Sequence, residues 1–304
     1  MNNRFLILIA GPTAVGKTAM SIDIARNFQS EIISADSRQC YREMNIGVAR
    51  PSPEELAAVP HHFIASHSIH QEMTAAGFEK EALSLSEKIF QNNEILVLTG
   101  GTGLYIRAFL NGLDKIPDVP EELRNSLNIL YKENGRDWLK EQIMLKDPLY
   151  AQKGDLMNPH RMLRALEVWE YFGKSILSFH QHLPKSRNFH TIRIGLDMPR
   201  EYLYDRINSR VEQMMNAGLL EEVSSLREFE SISPLQTVGY RELFPYFKGE
   251  YSLDKAISLI QQNSRHYAKR QLTWFRNQEN LKWFHPGDVD SVKEFIEDEL
   301  KKEY

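Results

Sequence analysis

Directly behind the apolar run FLILIA, residues 5–10, the chain reads GPTAVGKT. Gly11, four unconstrained positions and then Gly16-Lys17-Thr18 give the spacing of a phosphate-cradling loop between a buried strand and a helix. Side chains at the glycines would keep backbone N–H groups away from phosphate oxygens, and the following helix adds its positive N-terminal end. Lys17 brings a mobile cation and Thr18 a hydroxyl suited to Mg²⁺. The expected phosphate-binding residues are Gly11, Pro12, Thr13, Ala14, Val15, Gly16, Lys17 and Thr18, with Thr18 facing the metal. A plain glycine turn is the competing reading, and the complete motif in this setting disfavours it.

A chain of 304 residues has room for one large domain or two modest ones. Its hydrophobic share of 42% and charged share of 26% are those of an ordinary soluble protein. The N-terminal apolar run is too short to span a bilayer, and the glycine loop behind it does not fit a signal peptide. No membrane partner is expected. The lone cysteine, Cys40, excludes an intrachain disulfide and a cysteine-rich zinc site, and fits a reducing cytoplasm. A net charge of −4 means that any nucleic acid must be met by locally gathered basic groups.

RFLILIA reads as a buried strand and GKTAMSIDIARNF as a helix, with Ala19, Ile22, Ile24, Ala25 and Phe28 at roughly helical spacing. EIISAD and EILVLTGG read as further strands, separated by the amphipathic helix FEKEALSLSEKIFQNN. That alternation predicts a parallel sheet with crossover helices, an α/β class. From about residue 114 the strand signal stops. EELRNSLNILYKEN, RDWLKEQIMLK and NPHRMLRALEVWEYFG read as helices, so 114–190 is expected to be an all-helical insertion in a core formed by 1–113 and 191–304. The strand signal returns at HTIRIGLDM, followed by the helices PREYLYDRINSRVEQMMNAGL and LDKAISLIQQNSRHYAKRQLTWFRNQ, the short strand LKWFHP and a last helix.

An ATPase with this loop usually carries an aspartate at the end of a second strand to hold its metal. EILVLTGGTG ends instead in Thr99, Gly100, Gly101 and Thr102. The carboxylate ends another strand, as Asp36 in IISADSRQCYR, at the edge where open parallel sheets place ligands. Thr102 is expected at the same edge, so Asp36 and Thr102 form a candidate acid–base pair beside the loop. Asp-Ser also commonly caps turns, and spacing does not separate the two roles. His61 and His62 point to opposite faces of a strand and cannot readily share one ion. Met214 and Met215 fit a helix core better than a cofactor site.

Together, GPTAVGKT, SADSRQCYREMNIG, HHF, GGTGLYIRA, PHRMLRALEV, VGYREL and AKRQLTWFR, in this order from about residue 6 to 284, resemble the tRNA dimethylallyltransferase (tRNA isopentenyltransferase) family of bacterial type. With a single cysteine, the zinc-finger tail of the eukaryotic relatives is not expected. The resemblance implies a prenyltransferase with a P-loop core. Such enzymes move a dimethylallyl group from its diphosphate to N6 of the adenosine beside the anticodon, position 37 of tRNA, with Mg²⁺ assisting. The loop then holds prenyl diphosphate where ATP is the usual guess. There are departures: the family's QVYR is Gln39-Cys40-Tyr41-Arg42, its DIGTAKP is NIGVARP with Asn45, Val48 and Arg50, and FIASHSI lacks the acidic residue expected after the histidine pair.

On this reading Asp36 takes the N6 proton and Thr102 positions or shares that hydrogen bond. tRNA contacts are expected from Asp36, Ser37, Arg38, Gln39, Thr102, Arg124, His160, Arg161, Met162, Leu163 and Arg164. Arg265, Lys269, Arg270 and Arg276, interleaved with Tyr267, Trp274 and Phe275, also suit RNA, although Trp274 and Phe275 read more readily as core. The partners implied are the tRNA anticodon stem-loop and dimethylallyl diphosphate, with a cytoplasmic monomer as the default. A nucleoside or nucleotide kinase and prenyl transfer to free AMP are the alternatives. The missing strand-end carboxylate weighs against the first, the helical insertion and basic C-terminal helices against the second.

Overall fold

Each apolar run singled out in the sequence becomes a strand in a computed structural model that describes residues 4–180, 183–278 and 280–302. β1 (Phe5–Ala10) is followed by α1 (Lys17–Asn27), β2 (Ile32–Ser34), α2 (Pro53–Ala58), β3 (His61–His62), α3 (Ala75–Ile89), β4 (Ile95–Gly100) and α4 (Gly103–Asn111). The chain then leaves the sheet for α5 (Glu121–Lys146), α6 (Pro148–Lys153) and α7 (Pro159–Phe172). It returns through β5 (His190–Leu196), α8 (Arg200–Asn216), α9 (Leu219–Ser225), α10 (Leu243–Phe247), α11 (Leu253–Gln278), β6 (Lys282–Phe284) and α12 (Val289–Lys302). The strands form one parallel sheet in the order β3-β2-β4-β1-β5-β6.

β1 is buried along its whole length, as a central strand covered on both faces must be. Successive side chains point to opposite faces, so Leu6, Leu8 and Ala10 join one core cluster while Phe5, Ile7 and Ile9 join another. Helix starts follow local chemistry. α2 opens on a capping box in which the Ser52 side chain accepts from Glu55 N while Glu55 accepts from Ser52 N, with Pro53 at the first position. The Thr74 side chain caps α3, accepting from Gly77 N at 3.0 Å. Among the described residues no helix is long and apolar enough to cross a membrane.

Residues up to Leu110 and from Ser186 onward make one compact unit, and Asn111–Lys185 make a second. The second unit starts and ends slightly earlier than the expected 114–190, because Lys185 N already donates to Asn111 O at 2.8 Å and closes its base there. Within it α5 is two helices broken at Gly135, whose φ of 78° and ψ of −169° match the gap between the two helical patterns in the sequence. The Asn158 side chain caps α7, accepting from His160 N and Arg161 N. Met162, Leu163, Ala165, Leu166 and Val168 of α7 build this unit's core with Leu127, Leu139, Ile143 and Tyr150.

Candidate active site

β1 and β4 are neighbours, yet the chain leaves β1 toward one edge of the sheet and leaves β4 toward the other. The crevice beyond their carboxyl ends is where open parallel sheets bind ligands. The loop after β1, the turn after β2 and the glycines after β4 line it. Crowding explains those glycines. A Cβ on Gly11 would lie 2.7 Å from Leu196 O, and one on Gly100 or Gly101 would overlap Ala35 O or the Gln271 side chain. Gly16, with φ of 110°, takes a left-handed turn that delivers the chain into α1.

The loop is held from several sides. Lys17 Nζ donates to Pro12 O at 2.7 Å, and Arg206 Nε to Ala14 O at 2.9 Å. Gln271 Oε1 accepts from Thr13 N at 2.8 Å, and Arg210 Nη1 donates to Thr13 Oγ1 at 3.4 Å. Gly16, Lys17, Thr18, Asp36, Glu55, Arg206, Arg210 and Tyr267 line a cavity of about 610 Å³ over the loop. Burial pushes the Lys17 ammonium down to about 8, with the Asp36 charge opposing and Arg210 reinforcing that shift. Burial and the neighbouring Arg206 also lower Arg210, against Asp36 and Glu55. A phosphate among these crowded cations would relieve them.

Asp36 is both cap and cavity wall. Its Oδ1 accepts from Arg38 N at 2.9 Å and Gln39 N at 3.2 Å, so the turn-capping role is realised. The residue also lines the large cavity and an adjoining one of about 260 Å³, which Ser37, Arg38, Val48, Ala49, Val211 and Met214 share. Thr102 holds this turn. Its Oγ1 accepts from Ser37 N at 3.1 Å and donates to Ser37 Oγ at 3.3 Å, and it is hydrogen-bonded to the Tyr267 phenol. Among the described residues no bond joins Thr102 to the Asp36 carboxylate, and Thr102 meets the turn at Ser37 instead. Gln39 Nε2 donates to Val48 O at 3.2 Å and Ala49 O at 2.9 Å, which makes it a brace for residues 48–49. Burial pushes Tyr267 up to about 12, so its phenol keeps its proton at neutral pH.

In the helical unit the expected RNA contacts divide. Arg161 is exposed and pairs with Asp155 at 3.0 Å, and His160 is exposed beside it. Arg124 and Arg164 share the buried Glu167 at 3.6 and 3.0 Å, and Arg164 also reaches Pro117 O. Met162 and Leu163 are only 0% and 6% exposed, inside that unit's core. Their side chains are therefore corrected from RNA contacts to packing residues. A helix advances about 100° per residue, so neighbours of an outward-facing Arg161 turn inward.

Phe275 is buried, as expected. Trp274 is only partly buried: it packs against the core over Gly103 and also lines a surface groove with Lys269, Arg270 and Thr273. Arg265 donates to Asn208 and Arg276 to Asp197, each at 2.6 Å, while Lys269 and Arg270 are exposed. His61 Nδ1 meets Val59 O, and His62 Nε2 meets Glu31 Oε2 at 2.6 Å. Among the described residues no three His, Cys, Asp or Glu side chains form a metal cluster. The sequence reading missed Arg206, Arg210 and Gln271. Arg206 and Arg210 stand four apart in DRINSR, on one face of α8, and that spacing was the available signal.

The parallel sheet and the loop behind β1 make this a P-loop α/β protein, with a carboxylate, Asp36, just past the end of β2. The model of the IPP transferase family matches residues 39–278, and the chain belongs to that family. It is similar to the tRNA dimethylallyltransferase of Christiangramia forsetii, 46% identical over 299 residues that cover 98% of this chain and 99% of the relative. It is similar in structure to the tRNA isopentenylpyrophosphate transferase of Bacillus halodurans, with a TM-score of 0.73, 35% identity and coverage of 98% and 97%. A eukaryotic dimethylallyltransferase described as acting on tRNA shares the fold, with a TM-score of 0.77 at 24% identity, over 97% of this chain and 77% of the other.

Proposed function

We propose that this protein transfers a dimethylallyl group from dimethylallyl diphosphate to N6 of adenosine 37 in the anticodon loop of tRNA. The observation that carries the reading is that the phosphate cradle and the Asp36 carboxylate line one cavity. The full-length relatives named for this activity support it.

The C–O bond to diphosphate breaks, a C–N6 bond forms, and the proton that N6 sheds passes to Asp36. Lys17, Arg206 and Arg210 meet the growing charge on the diphosphate as a preorganised cradle. N6 is a weak nucleophile because its lone pair is shared with the adenine ring. Well-placed proton removal by Asp36 is worth roughly 10²–10⁴-fold in rate. Thr102 and Ser37 hold the Asp36 turn. The adjoining cavity, with Ser37 and Arg38 on its wall, is the approach for a base unstacked from the loop, at a cost of a few kcal/mol.

Mg²⁺ belongs to the proposal. Thr18 and Glu55 line the phosphate cavity and would offer Mg²⁺ the hard oxygen donors that it takes together with water and phosphate. When bound it adds positive charge against the departing diphosphate. The exposed Arg161 and His160 of the helical unit, and Lys269 and Arg270 of α11, are the proposed contacts to the RNA backbone. The proposed site of action is the cytoplasm, and the proposed active form is a monomer.

Incubation with radiolabelled dimethylallyl diphosphate, Mg²⁺ and undermodified tRNA tests the proposal, with a parallel reaction on AMP. Label in tRNA supports it. Label in AMP alone points to the free-nucleotide enzyme. A third reaction adds ATP, and phosphoryl transfer there with no prenyl label in either acceptor points to a kinase.

A further inference from the structure

Residues 45–50 border both cavities through Val48 and Ala49, yet the segment has neither helix nor strand to hold it. One carboxylate does that work from 175 residues away. Asn45 N and Ile46 N donate to Glu222 Oε2 at 3.1 and 2.8 Å, and Gly47 N donates to Glu222 Oε1 at 3.0 Å. The buried Tyr240 adds a fourth donor, its hydroxyl 2.5 Å from the same Oε1. Gly47 has no room for a side chain, because a Cβ there would overlap the Tyr240 ring. On its other side the segment is bound to Gln39, whose Nε2 donates to Val48 O and Ala49 O. Ala49 is held at φ of 48°, a region that side chains disfavour, so the segment needs outside support. Gln39 N in turn donates to Asp36 Oδ1 at 3.2 Å. A continuous line of bonds therefore runs from Glu222 through residues 45–49 and Gln39 to Asp36.

We propose that Glu222, oriented by Tyr240, is a positioning residue for prenyl transfer that sets residues 45–49 against Gln39 and so holds Asp36 in place. The inference rests on the reading of Asp36 as proton acceptor. Only a carboxylate suits the task, since four donors converge on two oxygens. Glutamine at 222 keeps the size but puts an NH₂ group where an oxygen accepted from two of those donors. Glu222 itself lines neither cavity, so its loss removes no direct contact to the phosphates. Misplacement of a reacting group by about 1 Å can cost on the order of 100-fold in rate.

The test compares wild type, Glu222→Gln and Tyr240→Phe by kcat, donor KM, melting temperature and amide hydrogen exchange. Glu222→Gln is expected to lower kcat about 10- to 100-fold, keep donor KM within about twofold and speed exchange at residues 45–47. Tyr240→Phe is expected to move the same quantities less. Wild-type kcat in both variants would overturn the inference. So would a loss spread evenly over kcat and KM together with a lowered melting temperature, the mark of a merely structural role. If Glu222→Gln does not fold, Tyr240→Phe decides alone. Wild-type protein that transfers no prenyl group sinks the functional reading instead, and also the inference built on it.

Discussion

Gln271 accepts the Thr13 backbone N–H at 2.8 Å and donates at the same distance to Gly101 O, so one α11 side chain bridges the loop after β1 and the end of β4. The bridge is nearly buried and ties the two walls of the crevice together. Gln271→Leu leaves the Thr13 N–H and the Gly101 carbonyl unpaired, at about 1–3 kcal/mol for an unmade buried bond. A lower melting temperature and a raised donor KM are expected. Unchanged values for both would remove Gln271 from the framework of the loop.

Lys17 makes donor binding depend on pH. Burial holds its ammonium at about 8, below the ordinary 10.5. A diphosphate favours the charged form and raises that value, so just above pH 8 binding takes up a proton and weakens as pH rises further. The empty protein shows the opposite trend. Its folded-state value lies below the unfolded one, so stability increases as pH climbs from 8 toward 10.5. Calorimetry in two buffers of different ionisation enthalpy measures the uptake, and Lys17→Met should abolish it. Uptake that persists in the variant would assign it to another group.

Adjacent residues of α7 should behave differently. Arg161→Ala removes an exposed cation, so tRNA affinity drops and the slope of log affinity against log salt falls by about one, with melting unchanged. Met162→Ala opens a cavity in the helical unit's core and costs about 2–5 kcal/mol of stability. Salt titrations and melts on both variants separate the roles. An unaltered slope for Arg161→Ala rules out a phosphate contact there.

What could be read from the sequence follows from how local each feature is. β1 and β4 stood out because a buried parallel strand is a continuous apolar run, whereas β3 is two residues long and carries no pattern. The loop and Asp36 were legible because motif and strand end are contiguous in the chain. Gln271 was not, since it meets Thr13 across 258 residues and nothing near it marks the encounter. Glu222 is equally silent in LLEEVSS, where an acid beside another acid looks like a solvated helix start. Met162 and Leu163 were misread because a contiguous motif hides the turn of the helix that carries it.

In the proposed reaction Asp36 takes the N6 proton while the loop holds the diphosphate. Asp36→Asn isolates that proton transfer, because the amide oxygen can still accept from Arg38 N and Gln39 N and preserve the turn. The decisive measurement is a single-turnover reaction with saturating dimethylallyl diphosphate, Mg²⁺ and undermodified tRNA, with the RNA digested and N6-(dimethylallyl)adenosine quantified. Product from wild type, a rate lowered roughly 10²–10⁴-fold in Asp36→Asn and undiminished tRNA binding are expected. Asp36→Asn protein that forms the modified nucleoside at the wild-type rate would contradict the account.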